Sequence, residues 1–301
     1  MSDAEQKKVR HVLGLSGGKD SSALAIYLRE RVPEMEYVFC DTGKELPETY
    51  EFLTKMEAYL GKPIQRLMSD RDFDHYLDVF NGYLPSSRMR WCTRLLKLKP
   101  FEQYVGNDPV INYVGIRADE QREGYISTKP NITSVFPFRD DGIAKADVFR
   151  ILEESGVGIP EYYKWRSRSG CSFCFFQRKE EWVGLKREHP DLFAEAKGYE
   201  KTDPETGERF TWRQGESLDE LIAKEEARGA TEGRPERAVK RKNLPLVSVF
   251  ADADGFEEDR PRPFQMEACG RARRRGKGRG QGEGERGTTR KTSRYREVQG
   301  S

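Results

Sequence analysis

The sequence predicts an α/β protein built on a parallel sheet, followed by a helical, cysteine-bearing extension. Three observations carry that prediction. Short apolar runs alternate with helix-period segments over the first half of the chain, a Gly-rich loop joins the first run to the first helix, and from Lys145 onward the pattern turns helical around a Cys-x-x-Cys loop.

In order along the chain, residues 9–15 read as a short buried strand, and the loop Ser16-Gly17-Gly18-Lys19-Asp20-Ser21-Ser22 opens a helix marked by Leu24, Ile26, Tyr27 and Leu28. Residues 37–40 read as a second strand, residues 47–60 as a helix with proline in its first turn, and residues 64–67 as a third strand. This βαβαβ order implies parallel strands joined by right-handed crossovers. Residues 93–105 read as a helix that Pro100 should interrupt or kink, residues 110–116 as a buried strand and residues 134–138 as a short one. Helices are expected over 146–154, 182–188, 192–199 and 218–228. The expected organisation is a first domain over 1–144, a helical region over 145–229 that completes the site, and a disordered basic tail over 230–301 with an isolated apolar patch at 244–250.

Composition bounds the function classes. Charged residues make up 35% of the chain and hydrophobic ones 36%, and no apolar run approaches the roughly 20 residues that span a bilayer, so a membrane span is excluded. The polar first ten residues lack a secretory pattern, and the expected compartment is cytoplasmic. Residues 271–301 hold 11 Lys or Arg against 3 Asp or Glu (+8), so the net charge of +2 leaves −6 on residues 1–270. An acidic body gives no support to a large duplex-binding surface, although local basic patches stay open. Five cysteines, an odd count, argue against a disulfide framework and for metal, catalytic or buried thiols.

The Gly-rich loop has a physical purpose. Two glycines let backbone approach an anion, the helix behind them offers unpaired N–H groups and a positive dipole end, Lys19 adds a cation, and Ser16, Ser21 and Ser22 add hydroxyls. Asp20 repels phosphate unless Mg²⁺ mediates or it caps the helix. The spacing is not that of a Walker loop.

Ser16 to Ser21 resemble the pyrophosphate loop of ATP pyrophosphatases (PP-loop). Asp41-Thr42-Gly43 with Leu46-Pro47-Glu48-Thr49 resembles a motif of phosphoadenosine phosphosulfate (PAPS) reductases. Arg90-Trp91-Cys92-Thr93 with Leu96, Lys97 and Pro100, and Gly115 to Glu120 with Arg122, are similar to two further segments of that family. The resemblance implies a sheet of the adenine nucleotide α-hydrolase type, with ATP and Mg²⁺ at the carboxyl ends of the strands. It implies that Ser16, Gly17, Gly18, Lys19, Asp20, Ser21 and Ser22 hold phosphate, with Asp20 on Mg²⁺. It also implies that Asp41 and Thr42 flank the nucleotide, and that Arg117 and Arg122 bind the distal anion. Ion pairing with Asp119, Glu120 or Glu123 is the alternative for both arginines, and a solvated face is the alternative for Lys97 and Lys99.

Cys171 and Cys174 place two thiols on one tight loop, which suits a metal. With Cys92 they resemble the ligands of iron–sulfur members of the family, which implies a [4Fe-4S] cluster on three thiolates. Zinc and a redox dithiol at Cys171 and Cys174 remain alternatives, although zinc wants a fourth ligand and none of His11, His75 and His189 adjoins the cysteines, and a thioredoxin-like context is absent. Cys40 reads as a small core residue. Glu267-Ala268-Cys269-Gly270-Arg271 departs from the Cys-Gly-His segment of cluster-free reductases. Two activities follow from the resemblance. One is adenylation with release of pyrophosphate and sulfur transfer, with Lys19, Asp20 and Cys92 catalytic, a sulfur donor protein such as a cysteine desulfurase as partner, and a nucleic acid or small molecule as acceptor. The other is reduction of a sulfonucleotide with release of sulfite.

Overall fold

Apolar runs too short to be helices, each flanked by an amphipathic segment, set the element order. We obtained a computed structural model, and it describes residues 8–121, 127 and 129–231. Strand β1 (Arg10–Gly14) leads into helix α1 (Lys19–Leu28), β2 (Glu36–Asp41) into α2 (Pro47–Leu60), and β3 (Ile64–Met68) into a short α3 (Phe73–Val79). Pro47 starts α2, where its missing N–H costs nothing, and Gly61 ends it at a φ of 65°. Asp72 caps α3 by accepting from the His75 amide at 2.9 Å. The sequence pattern does not reveal this helix because its apolar stripe is only two turns long.

Helix α4 (Trp91–Thr93) continues through a π turn over Arg94–Leu98 into α5 (Lys99–Val105). Pro100 was expected to interrupt or kink this segment. The α ladder is interrupted just before it by the π turn over Arg94–Leu98, while Leu98 and Lys99 keep right-handed helical conformation and the segment stays helical through Pro100. Strands β4 (Val110–Tyr113) and β5 (Ile132–Val135) follow, then a single turn α6 (Pro137–Asp140) and α7 (Lys145–Glu154). The last strand therefore begins two residues before and ends three residues before the expected 134–138, and Pro137 opens a helical turn rather than closing a strand.

The sheet is wholly parallel in the order β3-β2-β1-β4-β5, which reverses direction between β1 and β4. Val12 and Leu13 are both fully buried, so β1 is covered on both faces. On one face Leu13, Leu24, Phe52, Met56, Val148 and Leu152 join α1, α2 and α7 in one core, and on the other Val12, Val38, Val105 and Val110 pack under α5. Helix α7 thus shares the core of the first segment although it lies beyond residue 144.

The extension packs on α3 and α4 in a second, aromatic core. A 3-10 turn at Glu161–Lys164 precedes the cysteine loop, and α8 (Lys179–Glu188), α9 (Pro190–Gly198), a hairpin of β6 (Lys201–Thr202) and β7 (Arg209–Phe210), and α10 (Leu218–Thr231) follow. Phe73, Trp91, Tyr162, Phe173, Trp182, Trp212 and Leu221 are buried together there. Phe173 anchors the cysteine loop, its ring 4.8 Å from that of Phe73 and 5.1 Å from that of Trp212. Arg122, the patch 244–250 and Cys269 lie outside the described residues, as does the expected tail from residue 232 onward.

Candidate functional site

The loop between β1 and α1 sits at the point where strand order reverses, the usual crevice for ligands of open α/β sheets. Gly17 has a φ of +70°, and a Cβ built there would lie 2.6 Å from Thr49 Cγ2. Glycine is thus required both by conformation and by the close approach of α2. The Gly17 carbonyl accepts from the Tyr162 hydroxyl at 2.7 Å, and the Lys19 amide donates to the Tyr163 hydroxyl at 3.1 Å. Ser16 Oγ lies 3.1 Å from Ser21 Oγ and 3.2 Å from Ser169 Oγ. Ser22 is fully buried, and its hydroxyl has no partner among the described residues.

Charges around the loop are balanced among themselves. Lys19 Nζ is 3.2 Å from Asp20 Oδ2, and Arg117 Nη1 is 2.8 Å from both Asp20 Oδ1 and Glu120 Oε1. Arg117 Nε adds a contact to Asp119 at 2.9 Å. The ion pairing that stands as the alternative for Arg117 in the sequence is therefore present, and it ties the exit of β4 to the first turn of α1. An anion reaching Arg117 has to compete with three carboxylates.

At the end of β2, Asp41 accepts from the Gly43 amide at 2.9 Å and from the Tyr50 hydroxyl at 2.8 Å, so its carboxylate holds the turn that follows. That turn meets the cysteine loop. Glu45 and Cys171 form an isolated antiparallel bridge, and the Ser172 amide donates to the Lys44 carbonyl at 2.7 Å. Thr42 Oγ1 donates to Glu45 Oε1 at 3.1 Å and lies 3.2 Å from Cys171 Sγ. Lys97 Nζ stands 3.7 Å from the same Glu45 oxygen. The Glu45 side chain is 1% exposed, and its other oxygen is buried without a partner among the described residues.

Burial pushes the Cys171 thiol up to about 12, with the Glu45 carboxylate adding to it against Lys97. Burial also raises Cys92, with Cys174 next in effect, so those two thiols feel one another. Burial opposes the charge on Lys97, but Glu45 and the thiols of Cys171, Cys174 and Cys40 outweigh it and its pKa is raised. The sequence-selected thiols thus gather around one lysine. As a donor set, three sulfurs with a counter-cation suit a metal cluster. The side chains as placed do not close one, since among the described residues no three His, Cys, Asp or Glu side chains stand together as a metal site. Cys40 donates to the Lys97 carbonyl at 3.4 Å, and burial raises it to about 11, as befits a packed thiol.

Sequence reasoning missed Glu45, Tyr162, Tyr163 and Ser169. No motif flags them, and the last three lie about 150 residues from the loop they touch.

A crevice with a helix N-terminus, two glycines and, through Ser169, the start of the cysteine loop at its edge is the arrangement found in phosphate-loop α/β proteins. Residues 10–164, just over half of the chain, match the phosphoadenosine phosphosulfate reductase domain, and the chain belongs to that family. It is 28% identical over 203 residues to an uncharacterised protein of Methanocaldococcus jannaschii, covering 63% of this chain and 41% of that protein. It is 26% identical over 209 residues to an uncharacterised nin region protein of Escherichia phage lambda, covering 58% of this chain and 68% of that protein. A tRNA-specific 2-thiouridylase of Pediococcus pentosaceus is 25% identical over 209 residues, covering 58% of this chain and 54% of that enzyme. The chain thus spans less than half the length of the archaeal relative. It is related at family level to thiolation enzymes of the PP-loop type, a group whose membership is consistent with ATP-dependent adenylation chemistry. No described helix is long and apolar enough to cross a membrane.

Proposed function

We propose that this protein uses ATP to adenylate an oxygen of its substrate, releases pyrophosphate, and lets sulfur displace AMP, so that a nucleic acid or a small molecule is thiolated. The observation that carries this reading is the contact of Ser169 with Ser16, because Ser169 stands two residues before Cys171. One short segment therefore borders the glycine loop and carries Cys171, an arrangement that supports sulfur delivery beside an adenylate formed at the loop.

The chain's own residues supply the following steps. Ser16, Gly17, Gly18, Ser21 and Ser22 with the α1 N-terminus grip the terminal phosphates and leave the α-phosphorus open to the substrate oxygen. As the new P–O bond forms, the bond to the bridging oxygen breaks, and Lys19 stabilises the departing pyrophosphate. Asp20 would hold Mg²⁺, which supplies further positive charge there. Asp41 and Thr42 flank the nucleotide at the end of β2, and Arg117 and Arg122 bind its distal anion. One of Cys92, Cys171 and Cys174 carries sulfur from a donor protein such as a cysteine desulfurase as a persulfide; its outer sulfur attacks the activated carbon as AMP leaves, and a second of these thiols then breaks the S–S bond, leaving a disulfide that a thiol reductant reopens. If those thiols hold an iron–sulfur cluster, it supplies an iron site that binds sulfide; zinc would supply only structure.

The family match favours one other reading, reduction of a sulfonucleotide with release of sulfite. Labelled ATP with Mg²⁺ and acceptor, run beside PAPS with a thiol donor, separates the two. AMP and pyrophosphate support thiolation, whereas sulfite released from PAPS with no ATP requirement rejects it.

A further inference from the structure

Phe176, two residues after Cys174, is one of the few large apolar side chains left exposed among the described residues. Its ring is not bare. Arg90 Cζ lies 5.2 Å and Arg168 Cζ 4.9 Å from its centroid, and the Phe175 ring packs at 4.2 Å. Arg90 comes from the segment two residues before Cys92 and Arg168 from the segment three residues before Cys171, so one ring joins both thiol-bearing segments. Arg88 and Arg94, also exposed, flank Cys92 on either side. Among the described residues none of these four arginines pairs with a carboxylate, whereas Arg10, Arg117 and Arg209 all do. In a body that carries −6 over residues 1–270, Arg90 and Arg168 on the Phe176 ring, with Arg88 and Arg94 next to Arg90 in the chain and no carboxylate partner for any of the four among the described residues, make a local positive rim at an aromatic platform.

We propose that this rim binds single-stranded nucleic acid, with a splayed base stacked on Phe176 and the flanking guanidinium planes and the neighbouring phosphates paired with Arg88, Arg90, Arg94 and Arg168. The chemistry matches each part. Arginine planes and phenylalanine rings stack any base, and guanidiniums pair phosphates through two parallel donors. A base inside a duplex has no free face to offer one protruding ring, so the platform selects unpaired strand. The rim also stands where an acceptor is needed. Arg168 adjoins Ser169, whose hydroxyl touches Ser16 of the phosphate loop, and Phe176 adjoins the cysteine loop. What happens to the bound base rests on the thiolation reading; the binding itself does not.

The test is fluorescence anisotropy of the full chain with labelled mixed-sequence 20-mers, as single-stranded RNA, single-stranded DNA and DNA duplex, and with a polyglutamate peptide of matched charge. The full chain is used because its +8 tail contributes a background common to all variants. Phe176→Leu is expected to weaken single-strand binding roughly 5- to 150-fold, the range for removing the stacking of one base. Arg90→Gln with Arg168→Gln is expected to flatten the slope of log affinity against log salt by about 1.4, at about 0.7 for each phosphate no longer neutralised. Arg90→Lys with Arg168→Lys keeps that slope, which shows that the change in the Gln pair is not misfolding. Unchanged single-strand affinity and slope in the Phe176 and Gln variants overturn the rim, as does equal affinity for duplex or for polyglutamate. Because these side chains are exposed, each variant should melt within about 2 °C of the parent. Labelled ATP is assayed in parallel. Strand binding that depends on the rim without AMP formation retains the rim and removes thiolation, and AMP formation with rim variants that bind normally does the reverse.

Discussion

Gly17→Ala probes the phosphate loop most directly, because two separate features of the backbone oppose a side chain there. At a φ of +70° an alanine incurs the left-handed cost of about 1–2 kcal/mol. Its Cβ would also lie 2.6 Å from Thr49 Cγ2, a contact against the buried face of α2 that has to be relieved by local shifts costing about 1–3 kcal/mol. The two together give about 2–5 kcal/mol. For a folded unit of this size that lowers the melting temperature by about 4–20 °C, at about 2–4 °C per kcal/mol. Thr49→Ser removes only the offending methyl and keeps the hydroxyl. In the double variant the steric part should return and the conformational part remain, so the coupling measured in a double-mutant cycle is about 1–3 kcal/mol. Differential scanning calorimetry of the four proteins supplies all terms. Additive effects, or a Gly17→Ala protein that melts with its parent, would refute the close approach of α2 to the loop.

Lys19→Ala should weaken ATP binding about 10- to 150-fold by titration calorimetry, because a charge-assisted contact to phosphate contributes about 1.5–3 kcal/mol, while its lost contacts to Asp20 and Tyr163 lower the melt only modestly. Protein purified without oxygen should be brown and contain iron, and serine at Cys92, Cys171 or Cys174 should remove the colour where serine at Cys269 does not; a colourless protein with stoichiometric zinc would overturn the cluster. Glu36 is held below the ordinary carboxylate range first by its hydrogen bond from Arg10 and also by Tyr104. Because its folded pKa is depressed, its contribution is present above the ordinary value of 4.5 and disappears as pH falls through the folded one. Glu36→Gln should therefore cost about 1 kcal/mol at pH 7, discounted for partial exposure, and nothing in strong acid, as read from urea melts across pH.

Much of this architecture was legible in the residues. Residues 47–60 show their helix fully, because Pro47 marks its start, Gly61 its end, and Phe52, Leu53 and Met56 its buried stripe. The place of the glycine loop between β1 and α1 was legible because the apolar run before it and the helical pattern after it bracket two glycines. The π turn before Pro100 was not, since a single sequence shows where a proline removes a donor but not where a neighbouring turn widens. The wall opposite the loop was hidden for a different reason. Ser169 and Tyr163 are ordinary residues in a segment without periodicity, and only the packing of Tyr162 and Phe173 into the aromatic core brings them back across the chain. The same holds for Glu45, whose burial depends on the bridge to Cys171.

That bridge, and the Ser16–Ser169 contact beside it, set an order of events during synthesis. The partners are 126 and 153 positions apart, so at roughly 5–20 residues per second the loop emerges about 8–30 s before its wall exists. For much of that interval Cys92 is outside the ribosome without Cys171 or Cys174, and any nucleotide reaching the loop meets a cradle open on one side. The wall that packs on Ser16 is therefore absent until residue 169 has been made, and a chain stopped before it has the glycine loop and Cys92 but neither Cys171 nor Cys174.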